Sequence, residues 1–425
     1  MAPSAKKPSA LTLHVFQAGF GDCLLLSFDY GESQRKRHVL IDCGTSKMPR
    51  SPRRTSLDVA KAVSELCGGK LDAIVVSHRH GDHISGFAGK AGTLLAQLKP
   101  DLVLQPWTED PEVAPDATSP PSPAIGTKGR ATVQAIARMP AITKNALTEA
   151  IRLGVSQTVR EQLEFLGETG INNPAAVRNL LDLPCKHIYA YCGSTSGLQQ
   201  VLPGVKVQVL GPPTLRQSEA IAEQRKEDPD EFWHLQHRAG VHAAAKKRLF
   251  PGAKTARRSA LPFETRWFLP RLERVRGEQL LQIVRILDEK LNNTSLVLLF
   301  EVGKAKLLFP GDAQIENWQY ALSKAHPGSS LHSLLADVSV YKVGHHGSLN
   351  ATPKTLWNMF KRKAPTPPPD RLKTVLSTLA GKHGRAQRGT EVPREKLVAA
   401  LKAESDFFTT QSLAKAPYRS LCIPV

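Results

Sequence analysis

Cysteine pairs with CxxC spacing are absent, although the 425-residue chain contains six cysteines. A zinc knuckle or a thioredoxin-like motif of that type is therefore excluded. Scattered cysteines in a long chain are typical of reduced core residues, so we expect a cytoplasmic protein. Long apolar runs are missing as well: no stretch reaches 18 apolar residues, and no apolar segment follows Lys6 and Lys7. The sequence thus predicts neither a membrane span nor a signal peptide.

Acidic residues are too few to balance the basic ones, with 38 Asp and Glu against 57 Lys and Arg and a net charge of +19. This excess favours an anionic partner, such as nucleic acid or another phosphate ester. Hydrophobic residues make up 41% and charged residues 22%, which is typical of a globular chain rather than a disordered one. The length suits two or three domains, or one large domain with insertions.

Strand patterns concentrate in two blocks, at about 11–105 and 292–425. In the first block, two apolar runs around the turn at 19–22 predict a β-hairpin over 11–28. Helical spacing over 56–67, stopped by Gly68, predicts a helix. Shorter patterns predict a helix at 91–98 and strands at 38–44, 71–76, 101–105, 187–191, 205–210, 295–302, 305–309, 338–343 and 375–377. Strands paired with helices in both blocks indicate a layered α/β sandwich.

The middle of the chain carries irregular and charged patterns. Residues 109–128 are rich in Pro, Ser and Ala, which predicts an exposed, disordered loop. Residues 130–182 and 214–250 have helical patterns, and 246–276 carry a dense run of basic residues. We therefore expect insertions at about 106–182 and 214–285 within one domain spanning 11–425, preceded by a disordered N-terminus at 1–10.

The strongest chemical signal is the motif HRHGDH at 78–83, directly after the apolar strand at 71–76. Its four potential ligands cannot all face one ion, but they can serve two adjacent ions. Neutral imidazoles and a carboxylate suit Zn²⁺, Mn²⁺ or Fe²⁺. The alternative is a histidine-rich surface loop. That alternative is disfavoured because an apolar strand leads directly into the motif.

Two further strands end in candidate ligands. LLFPGD at 307–312 releases Asp312 through Pro-Gly, and VYKVGHHGS at 340–348 ends a strand in His345 and His346. Taken alone, Gly-Asp after a strand is usually a turn, and paired histidines at a strand end are more often not ligands. Together with the 78–83 motif, both are expected to reach one metal site. We expect His80 and Asp312 to lie within about 8 Å, because two ions roughly 4 Å apart share ligands.

In this order the motifs resemble the metallo-β-lactamase superfamily of metal-dependent hydrolases. QAGFGDCLLLSF, LIDCG, SHRHGDHISGF, LLFPGDA and VGHHGS are most similar to its ComEC-type competence nuclease domain branch. The likeness covers about 11–105 and 290–380. It implies an α/β fold, a four-layer αβ/βα sandwich with helical insertions, and a metal site at one edge between two mixed sheets.

The resemblance also implies a ligand set for two divalent ions, Zn²⁺ or Mn²⁺. The set comprises His78 and His80 on the first ion, Asp82 and His83 on the second, Asp312 between them, His345 or His346 completing the second, and Asp42 and Asp22 as supporting carboxylates at the same edge.

The expected chemistry follows from this ligand set. Two ions roughly 4 Å apart can hold a hydroxide between them at neutral pH and polarise a phosphoryl or acyl oxygen. Asp82 and His346 are the predicted catalytic residues, with Asp82 orienting the hydroxide. Lys342, Ser348 and Asn350 lie beside the site and are candidate phosphate contacts, although Ser348 and Asn350 equally suit a turn-capping role. No Walker-type loop and no Ser-His-Asp arrangement competes for this chemistry.

The chain departs from the superfamily where a further histidine ligand is expected between the 78–83 motif and the bridging aspartate. The segment around Cys192 occupies that position without a histidine. The first ion is therefore expected to bind more weakly, or to be an ion such as Mn²⁺ that favours oxygen ligands. The other histidines of the interval are predicted to be ordinary core or surface residues: His187, His234, His237 and His242.

Two enzymatic functions fit these observations. The first is a phosphodiesterase or nuclease acting on DNA or a nucleotide, favoured by the branch resemblance and the charge. Basic residues gather at 47–54, in the middle segment and at 354–373, although a solvated surface can also carry such clusters. The second is hydrolysis of a small ester, lactone or thioester, which needs no basic groove. A non-enzymatic interaction module is disfavoured because ligands for at least one ion are present, and the oligomeric state is left open.

Overall fold

The computed structural model describes residues 7–31, 34–49, 51–112, 173–222, 291–348, 350–379, 391–413 and 416–425, with a few isolated positions between these ranges. Within them the chain is mixed α/β with two mixed sheets, which confirms the α/β class that the sequence predicts. Most of the predicted loop at 109–128 and most of the 130–182 and 214–285 segments lie outside the described residues. The basic run at 246–276 is among these, as are residues 1–6. Ser9 already bonds to the Asp29 carbonyl, so the first sheet begins slightly before the predicted boundary.

Among the described residues, the first sheet has seven strands. They are β1 Ala10–Phe16, β2 Cys23–Asp29, β3 Arg37–Cys43, β4 Ala73–Val75, β5 Leu102–Pro106, β6 Lys186–Ala190 and β13 Tyr418–Ile423. Their order is β13-β1-β2-β3-β4-β5-β6. Pairing is antiparallel from β13 to β3 and parallel from β3 to β6. The predicted hairpin over 11–28 is thus confirmed as β1 and β2.

The second sheet has six strands in the part of the chain that the structure describes. They are β7 Lys206–Gly211, β8 Val297–Val302, β9 Ala305–Phe309, β10 Val340–Lys342, β11 Lys373–Leu376 and β12 Asp406–Thr409. Their order is β12-β11-β10-β9-β8-β7, antiparallel from β7 to β9 and parallel from β9 to β12. The two sheets do not follow the two sequence blocks, because β13 comes from the end of the second block and pairs with β1.

Helices connect the strands in both sheets. They are α1 Ser56–Cys67, α2 Gly81–Ile84, α3 Gly89–Gln97, α4 Pro174–Leu181, α5 Ile315–Ser323, α6 Ser330–Ala336, α7 Lys354–Met359 and α8 Glu395–Glu404. The bounds of α1 match the prediction because its ends are strongly encoded. Thr55 and Asp58 form a reciprocal capping box, and Gly68 adopts the left-handed conformation that ends the helix.

Alternating side chains divide the interior into three hydrophobic cores. One lies between the sheets and joins residues such as Leu26 of β2 and Phe300 of β8. A second packs the outer face of the first sheet against α1, α3 and α4. A third packs the outer face of the second sheet against α5, α6, α7 and α8, with Trp318 and Trp357 fully buried. Both faces of each sheet are therefore covered.

The cysteines follow the sequence expectation only in part. All six are free, and Cys23, Cys43 and Cys67 are buried, but Cys422 is exposed and the other two are half-buried. Cys422 lies on the edge strand β13, where alternate side chains face outward. Among the described residues, no helix has the length and hydropathy that a membrane crossing requires.

Candidate metal centre

The HRHGDH motif follows β4 and continues into α2. The strand ends at Val75, and the N–H groups of His83 and Ile84 both donate to the carbonyl of His80, which closes the first turn of α2. His78 and His83 are fully buried and His80 nearly so, whereas the Asp82 side chain is 18% exposed. The motif is therefore an internal cluster rather than a histidine-rich surface loop.

Asp312 enters this cluster from the second sheet. It follows β9 through Gly311, whose φ of +55° and closeness to Ser77 leave no room for a Cβ. The Asp312 Oδ2 atom lies 3.2 Å from His83 Nε2, 3.8 Å from His345 Nε2 and 3.9 Å from His78 Nε2. The other carboxylate oxygen, Oδ1, is buried and has no hydrogen-bond partner among the described residues. One carboxylate thus stands at the centre of three imidazoles, as expected of a bridging ligand.

The two histidines after β10 point to different places. Both have left-handed backbone conformations, with φ of 41° at His345 and 53° at His346. His346 donates from Nδ1 to the Ser377 carbonyl at 2.9 Å, and its Nε2 lies 3.2 Å from Asp82 Oδ2. His345 is 30% exposed at its side chain, and its Nδ1 lies 2.8 Å from Ser348 Oγ. The structure therefore groups His346, rather than His345, with Asp82 and His83.

In the part of the chain that the structure describes, three sets of side chains are close enough to hold a cation, with all ligand atoms of each set within 4.8 Å of one another. Both His80 and Asp312 belong to the first set, so their expected proximity is confirmed. Imidazole nitrogens and carboxylate oxygens are the donors that Zn²⁺ and Mn²⁺ take, so the residues fit such ions. The sets are His78, His80 and Asp312; Asp82, His83 and His346; and Asp22, His83 and Asp312.

Asp42 orients one of these ligands from behind. Its backbone has a φ of 55° and forms a bulge, since Cys23 pairs with Cys43 while the next residue, Leu24, pairs with Ile41. Its carboxylate accepts from the Ser77 N–H at 2.7 Å, from Ser77 Oγ at 2.7 Å and from His83 Nδ1 at 2.8 Å. With its proton on Nδ1, His83 keeps the Nε2 lone pair free to bind an ion.

Lys342 lies beside the candidate ligands, but its ammonium group is turned to a carboxylate in the interior. It is almost fully buried, and its Nζ pairs with Asp22 Oδ2 rather than facing solvent. Asn350 is also buried, and Ser348 is bonded to His345 Nδ1. The sequence could not show this, because a lysine two residues before a Gly-His-His turn has the same pattern on either face of the strand.

Burial and neighbouring charges set the ionisation of the cluster. Burial, together with His83, lowers the pKa of His78 well below its usual value. Burial acts in the same direction on His83, but the carboxylates of Asp312 and Asp42 outweigh it and raise that pKa well above the usual range. Burial alone would raise the pKa of Asp312, yet His83 and His345 hold it well below. The carboxylates thus favour a cation among these side chains, either a proton on His83 or a metal ion.

No pattern in the sequence singles out Arg79, which lies between the first two histidines of the motif. Its guanidinium makes a two-pronged ion pair with Glu109 at 2.6 to 2.9 Å, and its carbonyl accepts from Asn173 Nδ2. These contacts fix the motif backbone beside β5. Glu109 was hidden from sequence analysis because it falls in the proline-rich segment that predicts a loop.

The segment around Cys192 contributes to none of the three sets. Cys192 and Gly193 bond to backbone carbonyls next to β7. His187, in β6, is half-buried and bonded to the Leu183 carbonyl, as an ordinary histidine would be. The other three histidines of that interval lie outside the described residues.

Comparison with known proteins adds no assignment. The chain matches no protein-family model, and no curated protein matches it either. What the protein does is therefore inferred from the residues of the centre itself.

Proposed function

We propose that this protein is a metal-dependent phosphodiesterase or nuclease of the metallo-β-lactamase superfamily, nearest its ComEC-type branch. On this proposal the two covered sheets are the four-layer αβ/βα sandwich of that superfamily. The protein binds two divalent ions, Zn²⁺ or Mn²⁺, and acts on DNA or a nucleotide.

One observation carries the proposal: segments far apart in sequence converge on the carboxylate of Asp312. Three imidazole nitrogens from 78–83 and 345 surround its Oδ2 atom at 3.2 to 3.9 Å. A buried carboxylate with one oxygen lacking a partner among the described residues is costly unless something compensates it. A divalent cation would supply that compensation, and a purely structural histidine cluster would not require this arrangement.

The sets of neighbouring ligands divide between two ions. His78, His80 and Asp312 would hold the first. Asp82, His83 and His346 would hold the second, with Asp312 within reach of His83. Divalent ions held by these residues would polarise a phosphoryl oxygen and lower the pKa of water, which would allow hydrolysis at neutral pH.

The remaining work falls to the chain's own side chains. Asp42 keeps the proton of His83 on Nδ1, and the Ser377 carbonyl does the same for His346. Both Nε2 atoms consequently face the centre. Asp82 belongs to the second set and is partly exposed to solvent. It is therefore the carboxylate placed to orient the water that attacks the phosphorus.

A phosphate-ester substrate is supported by charge as well as by the centre. The net charge of +19 favours anions. The ring of Phe20 packs 4.2 Å from the ring of His346. The backbone N–H of Phe20 donates to the carbonyl of Lys47. Lys47 and Arg53 are exposed on the segment that follows β3. Exposed basic side chains thus lie on a segment that is bonded to Phe20, the neighbour of a candidate ligand.

Metal content measured together with activity on a substrate panel tests the proposal. The panel comprises single- and double-stranded DNA, RNA, a cyclic dinucleotide, bis-p-nitrophenyl phosphate, and a small ester, thioester and lactone. We expect up to two ions per chain and hydrolysis of phosphodiesters that a chelator abolishes. His80→Ala should lose metal and activity together. Activity confined to the ester, thioester or lactone would move the assignment to that class, and a fully loaded protein inert on phosphodiesters would refute it.

A further inference from the structure

A buried ion pair lies beside the second ligand set, which consists of Asp82, His83 and His346, and contributes no atom to it. Lys342, the last residue of β10, pairs through Nζ with Asp22 Oδ2, and neither side chain is more than 2% exposed. Val340 packs between the sheets and Tyr341 in the outer core, so strand alternation directs Lys342 into the space between the sheets. A buried ammonium without a counter-charge is strongly unfavourable. The pair therefore joins one sheet to the other at the metal edge.

The backbone of Asp22 is tied to the loop that carries two of the ligands. Its N–H donates to the Asp82 carbonyl at 2.9 Å, and its own carbonyl accepts from the Gly44 N–H at 2.9 Å. The approach is so close that a Cβ on Gly21 would lie 2.8 Å from the Asp82 carbonyl oxygen, and one on Gly44 would lie 2.4 Å from the His83 nitrogen. Movement of Asp22 would thus carry the Asp82 and His83 loop with it.

Lys342 is tied along the chain to His346, the ligand that the second sheet contributes. It stands four residues before His346, at the end of the strand from which that histidine emerges. The direct contact between His346 Nε2 and Asp82 Oδ2, at 3.2 Å, joins the two atoms that an ion would bind. The contact between Asp22 and Lys342 uses no atom of the second ligand set, so it can persist when the ion binds.

We propose that Asp22 and Lys342 are a positioning pair for the second ion. They hold the segment that carries His346 against the loop that carries Asp82 and His83, so the three ligands are in place before the ion arrives. Such preorganisation strengthens binding because less ordering is left to the binding step. The inference rests on the proposed metal-binding function and is independent of the substrate.

Three variants separate positioning from simple stabilisation: Asp22→Asn, Lys342→Met and the double variant. Each single change leaves one charge buried without its partner, and we expect a lower thermal stability of the metal-free protein. The double variant removes both charges and should regain most of that stability. It should nonetheless bind the second ion roughly 10–100-fold more weakly than the wild type, as loss of groups supporting metal ligands typically does. Equilibrium dialysis with Mn²⁺ or Zn²⁺ and the electronic spectrum of the Co²⁺-loaded protein report this directly.

Lys306→Met is the matched control, since Lys306 on β9 pairs with the half-exposed Asp337 away from the centre. It should bind both ions as the wild type does. A double variant with wild-type affinity for both ions and an unchanged Co²⁺ spectrum would overturn the inference. Lys342→Arg retains the charge and should lie nearer the wild type in metal affinity than Lys342→Met; equal losses would also count against positioning. A wild type that binds both ions yet cleaves no phosphodiester refutes the proposed function, while dialysis still decides the role of this pair.

Discussion

Replacing Asp42 by asparagine tests whether the centre depends on the proton position of His83. The carboxylate accepts three hydrogen bonds, two from Ser77 and one from His83 Nδ1. An amide of the same shape can still accept from the Ser77 N–H, but its NH₂ group then faces His83 Nδ1. His83 must accept there and carry its proton on Nε2. That proton would point at Asp312 in place of the lone pair that an ion needs.

The expected loss follows from this exchange of donor and acceptor. Mutation of groups that orient metal ligands weakens metal binding about 10–100-fold, which is roughly 1.4–2.7 kcal/mol. The metal-free protein should lose no more than about 1–3 kcal/mol of unfolding free energy, the range for perturbing a buried hydrogen-bonded group. Equilibrium dialysis measures the affinity, and ¹⁵N NMR of histidine-labelled protein identifies which ring nitrogen carries the proton.

Asp58→Asn provides the control, because Asp58 also accepts two hydrogen bonds, from Thr55 at the exposed start of α1. It should weaken the helix cap by about 0.5–2 kcal/mol and leave metal affinity unchanged. If Asp42→Asn binds both ions with wild-type affinity, Asp42 does not orient His83, and its bulged position needs another explanation.

Three further outcomes are expected. Asp82→Asn should reduce phosphodiester turnover by about 10²–10⁴-fold, which is the usual effect of losing a positioned general base. The melting temperature of the metal-free protein should barely change. Wild-type turnover with ions bound would contradict the role of Asp82. Burial lowers the pKa values of His14 and His38 to about 4. Between about pH 6.5 and 4 the unfolded chain therefore binds more protons than the folded one. The free energy of unfolding should fall as the pH drops through that range, by up to about 3 kcal/mol per histidine. Denaturant titrations at pH 7 and 4.5 should show a smaller pH effect when both are changed to glutamine, and an equal effect would refute this. Lys47→Glu should weaken DNA binding and reduce the slope of log affinity against log salt concentration by about one. Lys304→Glu, on the exposed turn between β8 and β9, should have neither effect. Equal effects of the two variants would show that only net charge matters.

Local signals in the sequence were sufficient for the elements that carry the ligands. The helix at 56–67 was predicted from its helical spacing and from the stop at Gly68, and its bounds match the structure. The apolar runs around 71–76 and 305–309 predicted the strands before the motifs. β12 and β13 were missed, since both carry weak alternation and become strands by pairing with distant partners. Tyr418, for example, pairs with Phe16, from the opposite end of the sequence.

At the centre, the sequence supplied the candidate ligands but not their arrangement. Which of His345 and His346 faces Asp82 depends on two consecutive left-handed backbone conformations, for which neither residue type gives a signal. The burial of Lys342 depends on which face of β10 meets the other sheet. Its pairing with Asp22 spans most of the chain, so a local pattern cannot contain it. Long-range contacts of this kind become visible only once both sheets are in place.

The fact that every candidate ligand set draws from both sheets has a consequence for the lifetime of the protein. An ion that binds only the folded chain stabilises it by mass action, by about 2.7 kcal/mol when free ion is at 100 times its Kd. That stabilisation acts on the layer between the sheets, where the central core also lies. When the ion is scarce, a larger fraction of the chains is unfolded. Degradation by proteases that act on unfolded chains increases with that fraction. If the candidate sets hold such an ion, the steady-state abundance of the protein is expected to follow the supply of that ion, even where transcription is constant.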